Sequence, residues 1–187
     1  MEKEIYLAKE KALFETEEAY CEFLWSLKTR EISKDTLDFL KSNISVLNHP
    51  IYRCTMYNKR DIELGHIYEH NASVSSWSKS KEYAKNFLNG NEYIPEGILD
   101  RYAIEMGFDV DNYDYDCLRS DFAMVLLKLD NPVGVDIEQI LMDNSESDFV
   151  SEREVQLLNT RLVFDTFEKK DHDFTNCDYY EIGVNYL

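Results

Sequence analysis

Two glutamates stand one residue apart in "FVSEREVQLL", residues 149–158. In an α-helix Glu152 and Glu154 would point about 200° apart, whereas in a strand residues i and i+2 share a face. The run from Val155 to Phe164 contains no Gly or Pro and ends in β-branched and aromatic residues, a pattern that predicts a strand. Two carboxylates sharing one strand face are either a site or merely a wet edge. Arg53, in "IYRCTMY", is a second candidate. Its planar guanidinium can make paired, charge-assisted bonds. The hydroxyl cluster Ser75-Ser76-Trp77-Ser78 is a third, because one hydroxyl can donate to a carboxylate while accepting from a ligand. Taken singly, each has a plain structural reading as an edge cation, helix-capping serines or a wet strand face.

The elements that must position these groups follow from periodicity. Residues 3 to about 47 read as helical, with Ile5, Ala8, Ala12, Phe14, Ala19, Phe23, Leu24 and Leu27 at spacings near three and four. A short helix begins in "SKDTLDFLKSNISVL", with Ser33 or Asp35 as its N-cap. "IYRCTMY" follows Pro50 as a strand. "SVSSWSKSKEYAKNFL" reads as a polar strand end running into a helix with Tyr83, Ala84, Phe87 and Leu88 on one stripe. "FAMVLLKLD" predicts a buried strand, "NPVGVD" a turn into another, "DNSESD" a polar loop and "DYYEIGVNYL" a final strand. Residues 89 to about 120 are irregular and acidic. Strands dominate after residue 50 and helices before it, which predicts an α+β chain rather than a βαβ series.

Other motifs carry less. "HIYEH", residues 66–70, matches the inverted zinc-peptidase signature in letters, but Gly65 before it and Asn71 after it leave no room for the helix that zinc ligation needs. A strand or loop with exposed histidines is expected. "DVDNYDYD" has Asp114 where an EF-hand loop needs Gly, so a solvated insertion is expected and no metal. There is no G-x-G-x-x-G, P-loop or G-x-S-x-G. Cys21, Cys54, Cys117 and Cys177 show no paired spacing, as in a reduced, cytoplasmic chain. No apolar run is long enough to span a bilayer and no signal peptide is evident, so no membrane role is expected.

At 187 residues with 44% hydrophobic content, one folded domain is expected. A formal charge of −17 argues against direct nucleic-acid binding, which needs clustered Lys and Arg. It suits a basic partner, or does no more than keep the protein in solution.

The ordered set "IYRCT", "SSWSKSKEYAKNF" and "SEREVQLL", spread over residues 50 to 165, resembles the arginine–serine–glutamate class of mono-ADP-ribosyltransferases. In layout it is similar to phage-encoded and bacterial arginine-specific members, which also carry helices before the first motif. The resemblance implies an ADP-ribosyltransferase-like α+β fold, with two packed, mostly antiparallel β-sheets, an N-terminal helical region at 1–47 and a catalytic core at 50–187. It implies NAD as co-substrate, with Arg53, Ser76, Ser78 and Trp77 binding it. Glu154 becomes the acid that stabilises positive charge at the sugar, and Ser76 the hydroxyl that holds it. Glu152 orients an acceptor arginine and takes its proton, and Phe149 lies in the loop that meets the target. The implied activity is transfer of ADP-ribose to arginine on a basic host protein, in the host cytoplasm, with release of nicotinamide. An NAD glycohydrolase using the same site, or a non-enzymatic acidic inhibitor mimicking nucleic acid, are the alternatives. Many relatives carry Gly after the arginine, where this chain has Cys54.

Overall fold

The computed structural model describes residues 32–69, 74–89, 104, 120–144, 153–158, 160–171 and 177–187. The expected helices of residues 3–31, most of the acidic segment 89–120, and Glu152, Phe149 and His70 lie outside the described residues. The chain divides into two compact units whose segments interleave. One comprises Met1–Pro50, Glu69–Lys79 and Asn131–Arg161, and the other Ile51–Tyr68, Ser80–Asp130 and Leu162–Leu187.

In the first unit, helix α1 (Lys34–Ser42) starts at Ser33, whose hydroxyl accepts from the Thr36 backbone N–H at 3.0 Å, one of the two caps expected from sequence. The helix stops at Asn43. Ser45–Val46 is then a short strand, β1, rather than the helical continuation to residue 47 that periodicity suggests. It pairs with β6 (Val133–Asp136), which pairs with β7 (Glu154–Leu158), which pairs with β4 (Val74–Ser78), all antiparallel. Phe39 and Leu40 of α1 bury themselves against Val74, Val135 and Ile137. A further helix, Ile137–Asn144, directly follows β6. The sequence reading missed it, although Asp136 marks its start by accepting from the Gln139 N–H at 3.0 Å.

The second unit is built on β5 (Phe122–Leu129), buried along its whole length except Lys128. On one side β5 pairs antiparallel with β2 (Ile51–Asn58), and on the other it pairs parallel with β9 (Asp178–Tyr186). Beyond β9 lie β8 (Arg161–Lys170) and β3 (Ile67–Glu69). Helix α2 (Lys81–Asn89) sets Ala84 against Met124, Leu126 and Tyr179. Its first turn is capped by Ser80, which accepts from the Tyr83 N–H at 3.1 Å. Lys81 pins the same end to Glu181 at 2.9 Å. Burial pushes the Glu181 carboxyl upward, but hydrogen bonds from Lys81 and Tyr179 and the charges of Lys81 and Lys85 outweigh it, holding the group below the ordinary carboxylate range.

The run from Val155 to Phe164, expected as one strand, is divided between β7 and β8. A two-residue alternation does not register a break inside an apolar stretch, because both halves are equally hydrophobic. Among the described residues, no helix is long and apolar enough to cross a membrane.

At Gly134, β6 runs close against β7. A Cβ there would lie 2.7 Å from the backbone oxygen of Gln156 and 2.6 Å from Leu157 Cδ2. The leucine can swing away; the strand backbone cannot. Gly134→Ala is expected to lower stability by about 1–3 kcal/mol, as overpacking does, measured by urea unfolding. Unchanged stability would mean that β6 and β7 have room between them.

Candidate active site

The two strands that carry the serines and Glu154 are direct neighbours, and their register decides which side chains meet. Ser78 lies opposite Glu154, Ser76 opposite Gln156 and Val74 opposite Leu158. Because opposed residues in an antiparallel pair project to the same face, these six form two parallel rows. One face therefore grades from the apolar core around Val74, Val135 and Leu158, through Ser76 and Gln156, to Ser78 and Glu154.

Gln156 joins the rows. Its amide nitrogen donates to Ser76 Oγ at 2.7 Å and to Glu154 Oε1 at 2.5 Å. An ionised carboxylate only accepts, which fixes the amide with its NH₂ toward Glu154. Ser76 is exposed and Glu154 half-buried, so a solute can reach both, while Gln156 is fully buried. The Gln156 carbonyl oxygen is buried and has no hydrogen-bond partner among the described residues, an arrangement that costs about 1–3 kcal/mol. The sequence reading passed over Gln156. A lone amide in "EVQLL" was the available signal, since the residues on either side are apolar.

The opposite face is packed. Trp77 is 2% exposed and its indole N–H donates to Ser75 Oγ at 3.0 Å. Ser75 Oγ in turn lies 3.2 Å from Thr160 Oγ1. Strand alternation thus turns Trp77 away from Ser76 and Glu154 and into the core, so it does not line their face as the resemblance implies. The serines are not helix caps either, because Ser80 serves α2.

The ends of the two strands are clamped. The Lys79 N–H donates to the Arg153 carbonyl at 2.9 Å. Lys79 Nζ pairs with both Asp136 oxygens, at 2.8 and 2.9 Å, and with Glu138. Arg153 Nε approaches Glu138 Oε1 at 3.8 Å. Arg153 itself has φ 48°, a left-handed backbone that a non-glycine residue adopts at a cost and that clusters at functional sites. It immediately precedes Glu154. Glu152, two residues back, falls outside the described residues, as does Phe149.

Arg53 belongs to the other unit. It is half-buried on β2, directly opposite Leu127 of β5. Cys54 turns to the reverse face and packs with Ala84, Met124 and Leu126. Burial pushes its thiol up to about 12, so it is an inert filler there. His66 is half-buried rather than exposed, its ring 2.8 Å from the Tyr57 hydroxyl. Ile67–Glu69 is a strand, so His66 and Glu69 do not share a helical turn. No group of three or more His, Cys, Asp or Glu among the described residues could hold a metal ion. A groove of about 710 Å³ opens in the second unit, lined by Tyr52, Lys81, Lys128 and Glu181 among others, and none of the proposed site residues lines it.

No protein-family model matches the chain, and no curated protein matches it in sequence. Solved structures do. The Vis toxin of Vibrio splendidus, an ADP-ribosyltransferase, superposes with a TM-score of 0.51 at 18% identity, covering 86% of this chain and 56% of that one. The same enzyme in complex with the M6 inhibitor gives 0.48 at 16% identity, covering 96% and 67% of the two chains. Plx2a, an ADP-ribosyltransferase toxin from Paenibacillus larvae, gives 0.43 at 8%, covering 96% and 86%. The last two scores are too low to add weight. This chain spans little more than half the length of the Vis toxin in the first of these matches. The likeness is distant and it is structural: the chain has the ADP-ribosyltransferase-like α+β fold.

Proposed function

We propose that the chain is an NAD-dependent mono-ADP-ribosyltransferase that modifies arginine on a target protein and releases nicotinamide. One observation carries the reading: in a fold shared with an ADP-ribosyltransferase, a reachable serine and a reachable glutamate on neighbouring strands are tied together by one buried amide. NAD supplies the ADP-ribosyl group, and its bond to nicotinamide breaks with the electron pair leaving on the ring nitrogen. Glu154 holds a negative charge where positive charge grows on the sugar, an electrostatic role of the kind glycosidases use. Ser76 orients that carboxylate and the sugar hydroxyls. Arg53 grips the diphosphate against the repulsion of an acidic chain. Glu152 aligns the incoming guanidinium, which is a poor nucleophile while fully charged, and accepts the proton it loses on forming the new bond. The charge of −17 favours a basic target, and the reading places the reaction in the cytoplasm of a bacterial host.

The test incubates the protein with adenylate-labelled NAD and bacterial lysate, following label on protein and free nicotinamide. Label on arginine, located by mass spectrometry, supports the reading. Nicotinamide released at one rate with or without acceptor protein means a glycohydrolase. No release, with salt-sensitive capture of a basic protein, means an acidic inhibitor.

A further inference from the structure

The Gln156 amide sits where an apolar residue would serve packing better. Its neighbours along the strand are Val155 and Leu157, and the next pair on its own face, Val74 and Leu158, lies in or against the apolar core. Gln156 is fully buried, and its carbonyl oxygen has no partner among the described residues. What the side chain does gain is two bonds from one nitrogen, to Ser76 Oγ at 2.7 Å and to Glu154 Oε1 at 2.5 Å. The backbone beneath it is held firmly, since β6 approaches so closely at Gly134 that even a methyl group would meet the backbone oxygen of Gln156.

We infer that Gln156 is the positioning residue of the site: its buried amide fixes the Glu154 carboxylate in orientation and keeps it ionised. The inference rests on the reading of Glu154 as the charge-stabilising acid. An N–H aimed at a carboxylate favours the charged form, because the bond is stronger to an anion than to a neutral acid. Held by a side chain already locked in packing, the carboxylate loses no freedom when substrate arrives. The charged groups at this end of the strands, Lys79, Arg153, Asp136 and Glu138, pair among themselves and are common to every variant compared below.

Gln156→Met keeps length and bulk but removes the amide. It is expected to lower kcat for nicotinamide release about tenfold to a hundredfold, as for the loss of a hydrogen bond to a charged group. KM for NAD should stay within a factor of about three, since the amide acts on the carboxylate and not on the ligand. The acid limb of the pH profile should move to higher pH. Gln156→Glu should behave differently. Two carboxylates at hydrogen-bond distance share one proton, so activity should survive at acid pH and fall as both ionise. A wild-type kcat and pH profile in Gln156→Met would overturn the inference. A second arm needs no turnover: side-chain carboxyl ¹³C titration of Glu154, expected to move to higher pH in Gln156→Met. An unmoved titration overturns the inference even in an inactive protein. A wild-type protein that releases no nicotinamide, yet shows the titration shift, sinks the enzymatic reading alone.

Discussion

Glu154→Gln is expected to cut nicotinamide release by about 10²–10³-fold, the usual cost of removing one preorganised group from a developing charge. The substitution is nearly isosteric. The new amide oxygen can still accept from Gln156, whose nitrogen now lies 2.5 Å from Glu154 Oε1, so the thermal midpoint should hardly change. What disappears is the negative charge. Because a charge acts on the transition state more than on the ground state, the loss should fall on kcat rather than on KM. Matched rates for the two proteins in a steady-state assay would remove Glu154 from the chemistry, and with it the proposed activity.

The largest effect on stability is expected at Leu127. It is fully buried at the centre of β5, between Arg53 on β2 and Ile182 on β9. Leu127→Ala removes buried methyl groups from a strand flanked on both sides, where collapse is hard, and should cost about 2–5 kcal/mol. That is a large share of the 5–15 kcal/mol that typically holds a domain together. The neighbouring Lys128 is the control. It is exposed and pairs with Asp130 at 3.0 Å in solvent, so Lys128→Ala should change stability by about 1 kcal/mol or less. Urea unfolding of both variants measures the contrast, and equal effects would show that β5 is not the centre of its core.

Much of the strand content was legible because alternation and turn residues are local. "IYRCTMY", "FAMVLLKLD" and "DYYEIGVNYL" became β2, β5 and β9, and of the two N-caps expected for α1, Ser33 and Asp35, it is Ser33 that caps it. The missed helix after β6 begins at Ile137, capped by Asp136, and its eight residues are too short a run for a helical period to stand out. The division between β7 and β8 was invisible for another reason. Nothing in the composition of "VQLLNTRLVF" tells which neighbours each half will pair with.

The candidate site divides the same way. Residue chemistry made Arg53, the serines and the paired glutamates candidates, each with a plain structural reading beside it, and only the resemblance of their order to a known motif set joined them. Strand spacing alone predicted that Glu152 and Glu154 share a face. Only the register of β4 against β7 could decide that Ser76 meets Gln156 and Ser78 meets Glu154. The same register turns Trp77 into the core and makes a glutamine hidden in an apolar run the link between serine and acid. Such a pairing joins residues some 80 positions apart. It is settled by packing across strands, to which a one-dimensional pattern is blind.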